Sequence, residues 1–176
     1  MGETSDEQSY PALQKDDAGL QTEIDAILTA RALGNPYGED GSFTANLATL
    51  SPGLRAMAAT HWLDISLTLD SITWHFGNFG EPHLVVETEA GLHELGLHEL
   101  AECFREAKEL MLPLLAERTE SDGDPYEILE QKGLRGVADE LDERAWALDN
   151  LKPKRSVIYD AWIKYAREHP ERVFGS

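Results

Sequence analysis

The stretch that decides the fold is Ser51-Pro52-Gly53-Leu54-Arg55-Ala56-Met57-Ala58-Ala59-Thr60-His61-Trp62-Leu63-Asp64-Ile65-Ser66-Leu67-Thr68-Leu69-Asp70-Ser71-Ile72-Thr73-Trp74-His75-Phe76. Serine followed by proline is a helix start: serine suits the N-cap, and proline suits the first turn, where its missing N–H has no partner to lose. Leu54, Ala58, Trp62, Ile65, Leu69, Ile72 and Phe76 then recur at steps of three and four. A second apolar row, Met57, Leu63, Leu67 and Trp74, covers more of the circumference. The spacing predicts one long helix from Ser51 to about Phe76. A helix apolar on several sides belongs in the middle of a bundle.

Helical periodicity continues on both sides of this stretch. Leu20, Ile24, Ile27, Leu28 and Ala32 mark one amphipathic helix, closed by Gly34-Asn35-Pro36-Tyr37-Gly38. Phe43 to Leu50 has room for a helical turn. Gly77 to Pro82 breaks the chain. His83 to Glu94 reads as a shorter helix interrupted by Gly91, although Leu84-Val85-Val86 would also suit a strand. Leu97, Leu100, Phe104, Ala107, Met111 and Leu114 form the cleanest stripe, with Pro113 expected to kink or end that helix. Asp124-Pro125 restarts a helix that Gly133 and Gly136 weaken. Leu134, Ala138, Leu141, Ala145 and Leu148 carry it on, Lys152-Pro153 breaks it, and a last helix ends before His169-Pro170. The expected fold is all-α, a bundle of about six to seven helices joined by short loops, residues 18–176 forming one domain. Met1 to Asp17 is polar and acidic and is expected to be a mobile, disordered tail.

The chain has 176 residues, 41% of them hydrophobic, enough for a core of its own. Its 33 acids against 15 bases give a net charge of −18. Such a field repels nucleic acid and anionic lipid and attracts basic protein surfaces, so neither direct nucleic-acid binding nor membrane association is expected. No apolar run approaches a membrane span, and the acidic start does not read as a secretory signal. The single cysteine, Cys103, excludes an internal disulfide framework and suits a reducing, cytoplasmic setting.

Few residues suggest catalysis. His93-Glu94 and His98-Glu99 repeat a dipeptide, but histidines five apart point about 140° away from one another on a helix, whereas a zinc-protease helix needs a spacing of four. Asp122-Gly123-Asp124 lacks the further ligands of a calcium loop and reads as a turn. Cys103 lies beside Phe104 on the apolar side of its helix and reads as a small buried hydrophobe. No phosphate-binding loop, serine elbow or dinucleotide fingerprint occurs. The chain is therefore expected to be no enzyme and to need no metal and no cofactor.

The acids are better organised. Glu99, Glu102, Glu106 and Glu109 step at three and four along one face, opposite the Phe104–Met111 stripe. Their rise of about 5 Å per step is of the order of the phosphate repeat of nucleic acid. Asp139, Asp142 and Glu143 are expected to make a second acidic surface. These seven residues are the candidate partner-binding set.

Three segments together resemble a family of small, acidic, all-helical bacterial proteins of largely unknown function whose named member is a DNA mimic. Leu50-Ser51-Pro52-Gly53-Leu54-Arg55 through Trp62-Leu63-Asp64 is similar to the family's Leu-Pro-x-x-Leu-Arg helix ending in Leu-Asp. Leu141-Asp142-Glu143-Arg144 resembles its Leu-Asp-Asp-Arg. Tyr165-Ala166-Arg167-Glu168-His169-Pro170-Glu171-Arg172-Val173-Phe174 resembles its Tyr-Ile-Arg-x-His-Pro-x-x-Phe ending. Glu89 to Gly96 also resembles a Glu-Ala-Leu-x-x-Ile-Gly segment. The likeness covers roughly Leu50 to Phe174. It departs at Thr68 to Phe76, where the family usually carries Asn-Gly-Gly-Phe followed by Gln-Phe. The resemblance implies an acidic protein that occupies the DNA-binding surface of a basic regulator or nuclease. Two alternatives stay open: an immunity-type protein that neutralises one toxin, and a metal-dependent enzyme using the His83, His93 and His98 region. Self-association as a homodimer also stays open.

Overall fold

The computed structural model describes residues 10–37, 40–119, 123–149 and 156–175, and among these all regular structure is helical. The helices are α1 (Asp17–Ala30), α2 (Ser42–Leu47), α3 (Pro52–Leu69), α4 (Ile72–Phe79), α5 (Pro82–Glu94), α6 (His98–Ala116), α7 (Pro125–Gln131), α8 (Arg135–Asp149) and α9 (Val157–Glu168). Short 3₁₀ turns at Pro11–Gln14 and Pro170–Arg172 flank them. The all-α expectation holds, and nine α-helices among the described residues replace the six or seven expected.

Two of the extra helices come from breaks that periodicity alone did not show. The long helix expected from Ser51 to Phe76 stops at Leu69. Asp70 leaves helical geometry, and Ser71 is extended and caps a new helix, its Oγ accepting from the Trp74 N–H at 3.1 Å. Short polar side chains that bond local backbone compete with helix continuation, and Ser71 does so here. Likewise α7 and α8 are separate helices, because Gly133 takes a left-handed conformation (φ +69°) between them. Other expectations needed smaller changes. Ser51 opens α3 without a side-chain cap; its hydroxyl instead donates to the Val173 carbonyl at 3.3 Å. Pro113 does not end α6, which continues to Ala116. Leu84-Val85-Val86 is helical, and Gly91 lies inside α5 without interrupting it.

The expected mobile segment divides into two parts. Its first nine residues lie outside those described. Tyr10 to Asp17 is packed rather than loose: Arg167 of α9 donates to the carbonyls of Leu13 and Lys15 and pairs with Asp17 at 2.7 Å. Ala12 and Leu13 rest on the core, and the Tyr10 ring lies 6.1 Å from that of Phe174.

The centre of the bundle is α3, which packs against α1, α2, α4, α5, α8 and α9. Its neighbours come close because its residues are small. Gly91 of α5 lies so near that a Cβ there would sit 3.0 Å from the Ala56 carbonyl oxygen. Around this axis Phe104, Met57, Leu63, Ile72, Leu92, Met111 and Trp162 are fully buried. Phe104 meets Phe76 at 5.0 Å and His75 at 5.7 Å between ring centroids. Phe104→Ala is therefore expected to cost roughly 3–5 kcal/mol in denaturant unfolding. Glu106→Ala, two residues along and half-exposed, should cost under about 1 kcal/mol. Equal losses would show that the buried and outer faces of α6 are misassigned.

Candidate functional site

Helices α6 and α8 pack side by side and run antiparallel. Cys103 Sγ donates to the Leu141 carbonyl at 3.4 Å, Leu110 and Val137 line one groove, and Leu97, Leu100 and Leu148 line another at the opposite end. The outer side of this pair brings Glu106 of α6 and Glu140 of α8 into one groove, and this acidic face continues along each helix, where Glu99, Glu102 and Glu109 of α6 and Glu143 of α8 are exposed and Asp139 is half-buried.

The face is less uniformly negative than the sequence spacing implies. Arg105 lies between two of the glutamates and pairs with Glu102 at 2.7 Å and Glu109 at 2.9 Å. Arg144 crosses from α8 to Glu106 at 2.9 Å, and Arg135 pairs with Asp139 at 2.8 Å while its guanidinium lies 4.0 Å over the Tyr126 ring. Glu99, Glu140 and Glu143 are exposed and form no ion pair among the described residues. Glu140 was missed in the sequence. It shares a groove with Glu106, Val137 and Arg144 that exists only once α6 and α8 meet. The arginine at three and four residues from Glu102 and Glu109 was readable, since such neighbours pair on a helix surface.

Asp142 leaves the candidate set. It is 3% exposed and binds inward. Its carboxylate accepts from the Thr73 backbone N–H (3.0 Å), from the Thr73 hydroxyl (2.8 Å) and, at 3.4 Å, from the Tyr126 hydroxyl. Tyr126 also meets Ser71 Oγ at 2.7 Å. The Trp146 indole donates to the Asp70 carbonyl at 3.0 Å. The periodic stripe Leu134–Ala138–Leu141–Ala145 puts residue 142 beside the core, and the free N–H groups at the start of α4 supply what a buried carboxylate needs. Burial still pushes its carboxyl up from the usual range, against the pull of these hydrogen bonds.

The histidines come together, but not as a metal site. Gly96 is left-handed (φ +77°) and folds α6 back on α5, with the Leu97 N–H reaching the Leu92 carbonyl at 2.8 Å. This turn brings His93 Nδ1 within 3.2 Å of His98 Nδ1, although the two would diverge on a continuous helix. Among the described residues no group of three or more His, Cys, Asp or Glu is placed to hold a metal ion, so His83 is not joined to this pair. Cys103 is fully buried, and burial raises its thiol pKa, as suits a core residue.

The model of one protein family, described as DMP19-like protein, matches residues 48–169. The chain belongs to the DMP19-like family. No curated protein and no solved structure matches it. In this DMP19-like protein the segments that carry the resemblance are structural joints. Leu141-Asp142 locks onto Ser71-Ile72-Thr73, the stretch that departs from the family pattern. Glu94 accepts from Arg172 at 2.6 Å and from the Tyr165 hydroxyl, which itself accepts from Arg172 at 2.6 Å. Ser51 bonds Val173.

The second motif acid, Asp64, is also internal. It is buried, and its Oδ1 has no hydrogen-bond partner. Burial, reinforced by the neighbouring Asp149 carboxylate and partly offset by Ser156, pushes its carboxyl up to about 6. No helix among the described residues is long and apolar enough to cross a membrane.

Two predictions follow the acids inward. Asp142→Ala strands the donors of Thr73 and should cost roughly 2–5 kcal/mol, whereas its neighbour Glu143→Ala should cost less than about 0.5 kcal/mol; urea melts of the two variants check this. Asp64 binds its proton more tightly folded than unfolded, so its ionisation lowers stability as pH rises from 3.8 to about 6. Asp64→Asn should therefore gain melting temperature over the parent progressively through that window, with a constant gap above about pH 7. A gap independent of pH would contradict the burial of this charge.

Proposed function

We propose that this DMP19-like protein is a non-enzymatic binding protein whose α6/α8 face occupies the DNA-binding surface of a basic protein, a regulator or a nuclease. The observation that carries the reading is the antiparallel α6–α8 pair, which brings Glu106 of the α6 row into one groove with Glu140 of α8. Family membership and the net charge of −18 support it.

The pairing of Arg105, Arg135 and Arg144 refines the chemistry. Glutamates already held by arginine add little net field, but they are fixed in place, as a phosphate row is. Glu99, Glu140 and Glu143 supply the unneutralised charge. A basic partner would therefore be steered by these three and then exchange ion pairs with the fixed glutamates. The protein itself should not bind DNA, since its field repels phosphate.

The test starts from a partner captured on the immobilised protein and proceeds to measured affinities. Reversal of Glu99, Glu140 and Glu143 to lysine should slow association by about ten-fold or more, while the variant still melts cooperatively. Binding should also weaken steeply with added salt, because exposed charges are screened beyond about 10 Å at 0.1 M. DNA carrying the partner's own site should compete. A partner whose affinity ignores salt, the three reversals and competing DNA would overturn the assignment of this face.

A further inference from the structure

Away from the α6/α8 face, α1, α2, α3 and α9 enclose a cleft of about 520 Å³. That is within the range of roughly 300–1,000 Å³ typical of small-molecule sites. Its walls are aromatic. Trp62 meets Phe43 edge-on at 6.1 Å between centroids, and Tyr159 meets Trp162 edge-on at 4.7 Å. His61 bridges the two pairs, lying 5.0 Å from Trp62 and holding its Nδ1 3.0 Å from the Tyr159 hydroxyl. Burial keeps this imidazole below its usual pKa, so it is neutral at pH 7, and the Tyr159 phenol, pushed up to about 12, is neutral as well.

Among the described residues one carboxylate lines this cleft, Asp25 of α1, and no lysine or arginine does; among them Asp25 forms no ion pair and no hydrogen bond. A partly buried carboxylate facing aromatic rings without a counter-ion is poorly solvated, and desolvation raises its pKa accordingly. One lip is formed by Ala32, Leu33 and Gly34. Ala32 holds a left-handed conformation (φ +49°), which crowds its Cβ against the backbone and is rare for alanine. Asn46 of α2 pins that lip by donating to the Leu33 carbonyl at 2.9 Å. Backbone strain held by its surroundings clusters at ligand clamps.

Rings present their negative faces to a cation, and a single unpaired carboxylate completes the complement. The geometry points to a binding site for a small organic cation, an ammonium group on a short apolar or aromatic body, with Asp25 as counter-ion and Trp62, His61 and Tyr159 as its walls. The negative field of the whole protein favours entry of such a ligand and disfavours anions. This site is separate from the α6/α8 face and does not depend on the reading of that face.

The experiment titrates the full chain with 2-phenylethylammonium chloride and, separately, with 2-phenylethanol, a neutral molecule of the same shape. Binding is followed by calorimetry and by tryptophan fluorescence at neutral pH and constant ionic strength. The amine should bind saturably, at least about ten-fold more tightly than the alcohol. Asp25→Asn should remove that preference, lowering amine affinity about ten-fold while leaving the alcohol unchanged. Thr29→Phe, placed on the exposed rim, should exclude both ligands and leave the fold intact, as a cooperative melt would show. Equal affinity for amine and alcohol, no saturable binding of either, or unchanged amine affinity in Asp25→Asn would each overturn the proposal.

Discussion

The close approach of α5 to α3 is the constraint on which the other contacts depend. At Gly91 the two backbones are separated by little more than a van der Waals contact, and Ala56, Ala59 and Thr60 leave the room for it. Thr88 crosses the same joint, its hydroxyl donating to the Ala59 carbonyl at 3.2 Å as well as to its own helix at Leu84. Thr60 also links this joint to α9, its hydroxyl accepting from the Trp162 indole at 3.1 Å. A helix with neighbours on nearly every side can be approached this closely only if its own side chains are small, and close-packed interiors transmit any enlargement to all of those neighbours.

The same helix organises the buried polar groups. Ser66 bonds the buried His75 at 2.8 Å across the α3–α4 break, and burial holds that imidazole at about 3, neutral throughout the physiological range. Beyond the break, Asp142 caps α4 and ties it to α8. At the break itself Ser71 caps α4 and meets the Tyr126 hydroxyl, while the Asp70 carbonyl accepts from the Trp146 indole. The segments that carry the resemblance meet in space as joints between helices.

How far the fold could be read varies with the element. The α6 stripe, Leu100 to Leu114, matches its buried face because the helix buries one side, and a one-sided pattern has a definite period. The α3 stripe was harder to interpret. With apolar residues all round, its period carried through the break at Asp70, and Leu69, which fits the stripe, is 79% exposed at the helix end. The acidic row on α6 was legible as a row. Its partial neutralisation by Arg105 was available from spacing, but that by Arg144 was not, since Arg144 belongs to another helix.

Local physics read from the chain determined the helical class, the start of α7 at Asp124-Pro125, and the inward face of Cys103 and Phe104. Each depends on residues within a few positions of one another, where the backbone geometry is known in advance. Tertiary structure alone decided that Asp142 is an internal cap while Glu143 beside it is free. It also brought His93 and His98 together at a turn, joined Glu106 and Glu140 in one groove, and placed Asp25 in one cleft with Trp62 and Tyr159. In each of these cases the energy comes from desolvation and from partners distant in sequence, and a burial pattern cannot show which buried donor an acid will find.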